Sequence, residues 1–302
     1  MSTPTILQIE TAEQRLGLLP ELGGSVAFWE VRRDEVWHPI WRAHAPTTED
    51  GRRTVGNFPL VPFSNRVTGG GITVDGVFHP MAPNRFDPTP IHGTGWMHEW
   101  ETREHTAQVI ELAVESHRKH DYPWDYFATQ RYSLTDDSMI MRLEVEHLGD
   151  KPMPYGLAFH PFQLRGNDAN GPRLQFKADG YWRAEEDCIP QEHVAGVPAD
   201  WDFNTLRELG HGKIDNNFSG WDGRMLMERD DIDLRIEWKT TEPANLTTSI
   251  LFRPENQPFF CFEPITHITD AFNRPGMPGL HTLKKGERMV LEVVQKLSRI
   301  SG

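Results

Sequence analysis

Cysteine is scarce in this chain of 302 residues: there are two, Cys188 and Cys261. They stand far apart and without metal-ligand spacing. Neither a disulfide framework nor a zinc motif is readable, and the expectation is two small buried thiols in a reducing cytoplasm. Long apolar runs are missing, which excludes a helical membrane span. The opening MSTPTILQIETAEQRLG has neither the basic n-region nor the apolar h-region of a secretory signal. Positive charge is also short. Lys and Arg total 31 against 44 Asp and Glu, a formal net charge of -13. That balance argues against nucleic acid or an anionic membrane as partner, and it disfavours a phosphorylated substrate unless a basic pocket forms locally. A long helical period, low-complexity tracts and internal repeats are all lacking.

Period-two alternation is plentiful. In MIMRLEVEH, Met139, Met141, Leu143 and Val145 share one face, and Arg142, Glu144 and Glu146 the other. DIDLRIEWK alternates in the same way, with Ile232, Leu234, Ile236 and Trp238 on one face. VIELAVES and the tail RMVLEVVQKLS look similar, and TDDS at 135–138 reads as a hairpin turn. Twenty-five glycines and twenty-three prolines are spread as punctuation and do not gather into a linker. Many strands at short spacing, with no break in composition, predict an all-β sandwich or barrel formed by one domain over 1–302. The ten tryptophans belong mainly to a core, with a few indoles available to pack on the C–H face of a sugar.

Four polar residues sit where apolar ones are expected. Glu263 lies in FFCFEPITH and His160 in PYGLAFHPFQL, each a titratable group inside an aromatic strand and each followed by proline. Burying an ionised carboxylate without partners is expensive, so Glu263 either finds donors or keeps its proton. Considered alone, His160 reads equally as a core histidine bonded to backbone. Together the two form a pair that can hold one proton near neutrality, the equipment for moving a proton between oxygens. Arg66 ends the apolar run of NFPLVPFSNRVTGGG, either as a surface ion pair or as a cleft arginine donating to hydroxyls. His92, in IHGTGWMHEW, is six residues from His98, which does not match zincin spacing, and no H-x-H is present. No metal role follows.

These stretches carry a resemblance. FPLVPFSNR, HGTGW, YPWDYFATQRYSL, GLAFHPF, DFNTLRELG, IDNNF, FFCFEPITHITDAFN and GLHTLKKGE occur in the order seen in the aldose 1-epimerase (galactose mutarotase) family. The match runs from about residue 20 to 297 and is nearest a less characterised bacterial branch. The resemblance implies a β-supersandwich of two large twisted antiparallel sheets with a cleft on one concave face. It implies a cofactor-free, metal-free isomerase that interconverts the anomers of a free monosaccharide. Residue by residue, Glu263 falls on the family's base, His160 on its acid, and His92 and Arg66 on substrate-binding positions. Asp215, in IDNNF, falls near the substrate-binding aspartate, with Asp222 as the rival. Asn65 and Trp96 join as further substrate contacts, and Trp182 and Trp221 as other stacking candidates.

Two alternatives share the scaffold. One is a carbohydrate-binding protein without catalysis. The other is a different enzyme: a hexose-phosphate mutarotase, for which Arg85, Arg165 and Arg183 could supply a basic cleft, or a polysaccharide lyase, for which five tyrosines are few. A monomer or a homodimer fits the sequence equally.

Overall fold

A computed structural model describes residues 4–45, 54–84, 87–118 and 122–301; Arg85 lies outside them. Its largest element is a nine-stranded antiparallel sheet. The central strands are Leu234–Glu242, Arg288–Ser298, Ser138–His147, Asp125–Leu134 and Val109–His117, in that spatial order. Burial alternates residue by residue along Asp125–Leu134 and Ser138–His147, as the sequence alternation requires. On the outer face the charges pair along and across strands. Arg142 meets Glu144 and Glu292 at 2.9 and 3.1 Å, and Arg131 meets Glu104 and Glu111 at 2.6 and 3.0 Å. The TDDS hairpin forms, with Leu134 opposite Met139 and Thr135 N–H donating to Ser138 O. One strand starts later than its alternation suggests. Residues 230–232 form a 3-10 turn, and Asp233 is left-handed at φ 47°. Its carboxylate accepts the N–H groups of Ile300 and Ser301, which holds Ile232 out of the ladder.

A six-stranded sheet, ordered Gln163–Leu164, Phe259–Pro264, Thr248–Arg253, Ile214–Ser219, Gly180–Ala184 and Pro190–Ala195, faces the large sheet. A four-stranded N-terminal sheet, Leu7–Glu10 to Val36–Pro39, adds its buried face to the same core. The second strand of the six decides where the site lies. Phe260 and Phe262 point toward the large sheet, where Phe262 meets Phe176 and Trp238 with ring centroids 4.9 and 6.1 Å apart. Successive strand residues face opposite ways, so Phe259, Cys261 and Glu263 face the other side. There they meet a second apolar cluster containing Phe58, Trp96, Ala158 and Phe162. The strand is apolar on both faces because one face builds the core and the other lines an aromatic cleft.

Candidate active site

The cleft encloses about 410 Å³, within the range of small-molecule sites. Glu263, opposite Ile250 in the ladder, enters from its floor. His160 follows the short strand Ala158–Phe159, which pairs with Pro59–Leu60. Its imidazole is sandwiched between Phe58 and Phe162, at 4.9 and 4.6 Å and nearly parallel to both. The two rings fix its plane, and Nε2 lies 3.5 Å from Glu263 Oε1. Both residues are more than nine-tenths buried.

Segment 61–66 and the turn 91–95 form the wall. Val61 O accepts the N–H groups of Thr94 and Gly95, and Arg66 bridges to Ile91. Asn65 and His92 both adopt positive φ, 54° and 63°, and are locked reciprocally. His92 N–H donates to Asn65 O at 2.9 Å, and Asn65 N–H donates to His92 Nδ1 at 3.2 Å. Because Nδ1 accepts, the neutral ring carries its proton on Nε2 and is a donor there. The His92 ring stands edge-on to His160 at 5.3 Å. Arg66 is aimed by Asp87, whose Oδ2 accepts from Nε at 3.0 Å. His267 ties the wall to the segment that follows the Glu263 strand: Nε2 accepts the Ser64 N–H at 3.0 Å, and Nδ1–H donates to Ile268 O at 2.8 Å.

The electrostatics follow from burial. Desolvation, reinforced by Asp215, holds the Glu263 carboxyl well above the ordinary carboxylate range, against a smaller opposing pull from Arg66. Desolvation lowers His160 to about 3, with Arg42 adding to the effect. His92 is pushed well below its usual value by burial and by His160 and Arg66. Burial therefore favours the proton on Glu263 over His160. Of the two outcomes the sequence allows for Glu263, finding donors or keeping its proton, burial favours the second, because neither a carboxylate nor an imidazolium is solvated there.

All seven residues singled out from the sequence line this cleft or contact its lining: Glu263, His160, His92, Arg66, Asn65, Asp215 and Trp96. Asp215 is the cleft aspartate. Asp222 instead borders a separate hollow of about 580 Å³ over the nine-stranded sheet, 3.7 Å from Lys177. Trp221 is a core residue whose indole N–H donates to Arg224 O. Trp182 packs beneath Arg274 at 5.0 Å, outside the cleft. Neither is a stacking platform for this site. Arg165 bonds to Gly210 O and Arg183 pairs with Glu192, so neither serves the cleft. Cys261 is buried as expected, but Cys188 is only half-buried, its thiol 3.2 Å from Asp215 Oδ2.

Sequence reasoning missed Asp87 and Arg42, and it held Phe58 and Phe162 within FPLVPFSNR and GLAFHPF without giving them the clamp on His160. Arg42 stacks 3.7 Å from the Phe162 ring centre. Its position 120 residues away in sequence leaves no local signal. His267 was visible in FEPITH but was not separated from its motif.

The chain matches the model of the family described as Aldose 1-epimerase over residues 6–296. It is 31% identical over 265 residues to the uncharacterized protein YphB of Escherichia coli K12, covering 84% of this chain and 89% of that protein. A crystal structure from Escherichia coli K12, provisionally named an aldose 1-epimerase, superposes with a TM-score of 0.89 at 26% identity, covering 99% of this chain and 100% of that one. The galactose 1-epimerase of Lactobacillus acidophilus shares the fold at a TM-score of 0.76 and 17% identity, with 99% of each chain covered. From the span of the family match and the identity to YphB, the chain belongs to the aldose 1-epimerase family.

Proposed function

We propose that this protein interconverts the α and β anomers of an unphosphorylated aldose by acid–base opening and closure of the sugar ring, without a cofactor. The observation that carries this is the meeting of Glu263 and His160, 3.5 Å apart at the floor of a monosaccharide-sized cleft. The pair holds one proton. When a sugar enters, its O1 hydroxyl and the Arg66 guanidinium stabilise the Glu263 carboxylate, and the proton moves to His160. Glu263 then takes the O1 proton while His160 delivers its own to the ring oxygen. The C1–O5 bond breaks and a C1 carbonyl forms. After rotation about C1–C2 the ring closes on the other carbonyl face, with acid and base roles exchanged. His92, Arg66, Asn65 and Asp215 hold the hydroxyls, and Trp96 and the phenylalanines present apolar faces to the ring carbons.

The charges favour a neutral sugar. Two carboxylates, Asp87 and Asp215, and the Glu263 carboxyl line the cleft beside two guanidiniums, and no lysine does so among the described residues. Arg66 is engaged by Asp87, and Arg42 donates to Val55 O while stacking on Phe162. With the proton on Glu263, Asp87 and Asp215 balance the two guanidiniums, so a phosphate would find no surplus of positive charge.

Polarimetry on freshly dissolved α-galactose, glucose, xylose, arabinose and fucose tests the reading. Wild type accelerates mutarotation of at least one. Glu263→Gln, isosteric and lacking only the base, loses ~10²-fold or more with its circular dichroism unchanged. Near-normal rates in that folded variant overturn the mechanism.

A further inference from the structure

Cys261 has no part in the chemistry above, and a cleft floor needs no thiol for packing. Its place is specific nonetheless. It is two residues before Glu263 on the same strand face, fully buried, and adjacent to His160. One imidazole nitrogen of His160, the Cys261 sulfur and one Glu263 carboxylate oxygen all lie within 4.8 Å of one another. The carboxylate's ion-pair partner among the described residues is His160 itself, and His160 Nδ1 has no hydrogen-bond partner.

We infer that the cleft floor is also a binding site for a thiophilic divalent cation of the Zn²⁺ class, held by His160, Cys261 and Glu263, and that occupancy blocks the cleft. Zinc bonds of roughly 2.0 Å to nitrogen and oxygen and 2.3 Å to sulfur place tetrahedral neighbours about 3.3–3.7 Å apart. The His160–Glu263 separation of 3.5 Å already fits. From at most 4.8 Å the sulfur closes by no more than about 1.3 Å, a side-chain rotation on a strand whose backbone stays paired. The charges close as well. A thiolate, a carboxylate and a neutral imidazole around a dication sum to zero, which suits an apolar floor better than any one of those charges alone. Starting from the thiol and the protonated Glu263, binding releases two protons, so affinity rises with pH. The fourth position faces the cleft and takes water. Sequence spacing concealed this set because His160 comes from another strand, about a hundred residues earlier.

Cobalt(II) is the probe, added under reducing conditions to the full chain. Wild type takes up one cobalt with tetrahedral visible bands and a sulfur-to-cobalt charge-transfer band, and Zn²⁺ displaces it. Cys188→Ser leaves the spectrum intact. Cys261→Ser removes the charge-transfer band and weakens Zn²⁺ binding at least tenfold by equilibrium dialysis, and His160→Gln weakens it comparably. Circular dichroism confirms that each variant is folded. Absence of the charge-transfer band in wild type, or its survival in Cys261→Ser, overturns the site. The blocking role rests on the proposed activity: stoichiometric Zn²⁺ stops mutarotation in wild type, and Cys261→Ser needs at least tenfold more. The cobalt spectrum requires no turnover. A protein that binds cobalt through sulfur but accelerates no sugar retains the metal site and loses the epimerase reading.

Discussion

Asp87 touches neither Glu263 nor His160, yet it sets the direction of Arg66 through the 3.0 Å bond to Nε, and it caps its own turn by accepting from Thr89 N–H and Oγ1. Removing it leaves the acid–base pair in place and frees the guanidinium to swing. Asp87→Ala is therefore expected to raise KM about tenfold, the equivalent of ~1.4 kcal/mol, with a smaller change in kcat. An equal loss in kcat with KM unchanged would place Asp87 in the chemistry instead. The pair itself makes a second residue-level prediction. The proposed mechanism needs one proton shared between Glu263 and His160. Burial pulls the second protonation, on His160, down to about 3 and pushes loss of the first, from Glu263, well upward. The pH profile of kcat/KM should be flat through neutrality. An inflection near the ordinary histidine value of about 6.5 would show that His160 is solvated and titrates by itself.

At the scale of elements, the turn carrying His92 depends on a backbone shape that only glycine tolerates next to it. Gly93 has φ 64°, and a Cβ there would lie 2.3 Å from Val61 O. Gly93→Ala should destabilise by ~1–3 kcal/mol, read as a lowered denaturation midpoint, and should displace His92 from the wall. Unchanged stability would mean that the turn relaxes freely. The same turn shows what was legible in the sequence. HGTGW stood out as a family motif, whereas alternation announced the strands of the large sheet, because burial on one face writes itself every second residue. FFCFEP hid its logic: with both faces apolar, period two vanishes, and only Glu263 marked which face was the cleft. Asp87 and Arg42 left no mark, since their roles arise from contacts between segments about 20 and 120 residues apart. Asp233 broke an apparently clean alternation through bonds to the chain's last residues.

For the whole molecule, the buried histidines couple stability to pH. His267 is enclosed between the 61–66 wall and the end of the Glu263 strand, and burial lowers it to about 4 despite its bond to Ile268 O. Its acceptor bond from Ser64 N–H requires the neutral ring, so protonation breaks the link between wall and floor. The folded value lies below the unfolded one of about 6.5, so the unfolded chain binds more protons between the two. This contribution is thus complete above about pH 6.5 and is lost as pH falls toward 4. A difference of this size amounts to ~3 kcal/mol; His160, at about 3, acts in the same sense. Asp233, held at about 2 by Ser301 and Arg299, loses its bonds only at still lower pH. Glu263 works in the opposite sense: its raised value means that the folded state resists ionisation as pH rises above about 4.3, which flattens the net curve near neutrality. Urea titrations at pH 7 and pH 4.5 separate these effects. Wild type should lose stability between them. His267→Gln starts lower, because the glutamine amide replaces the ring imperfectly, but it should lose less over the same interval. Equal losses in the two proteins would show that His267 is already charged in the fold, and the wall would then be held by something other than its neutral imidazole.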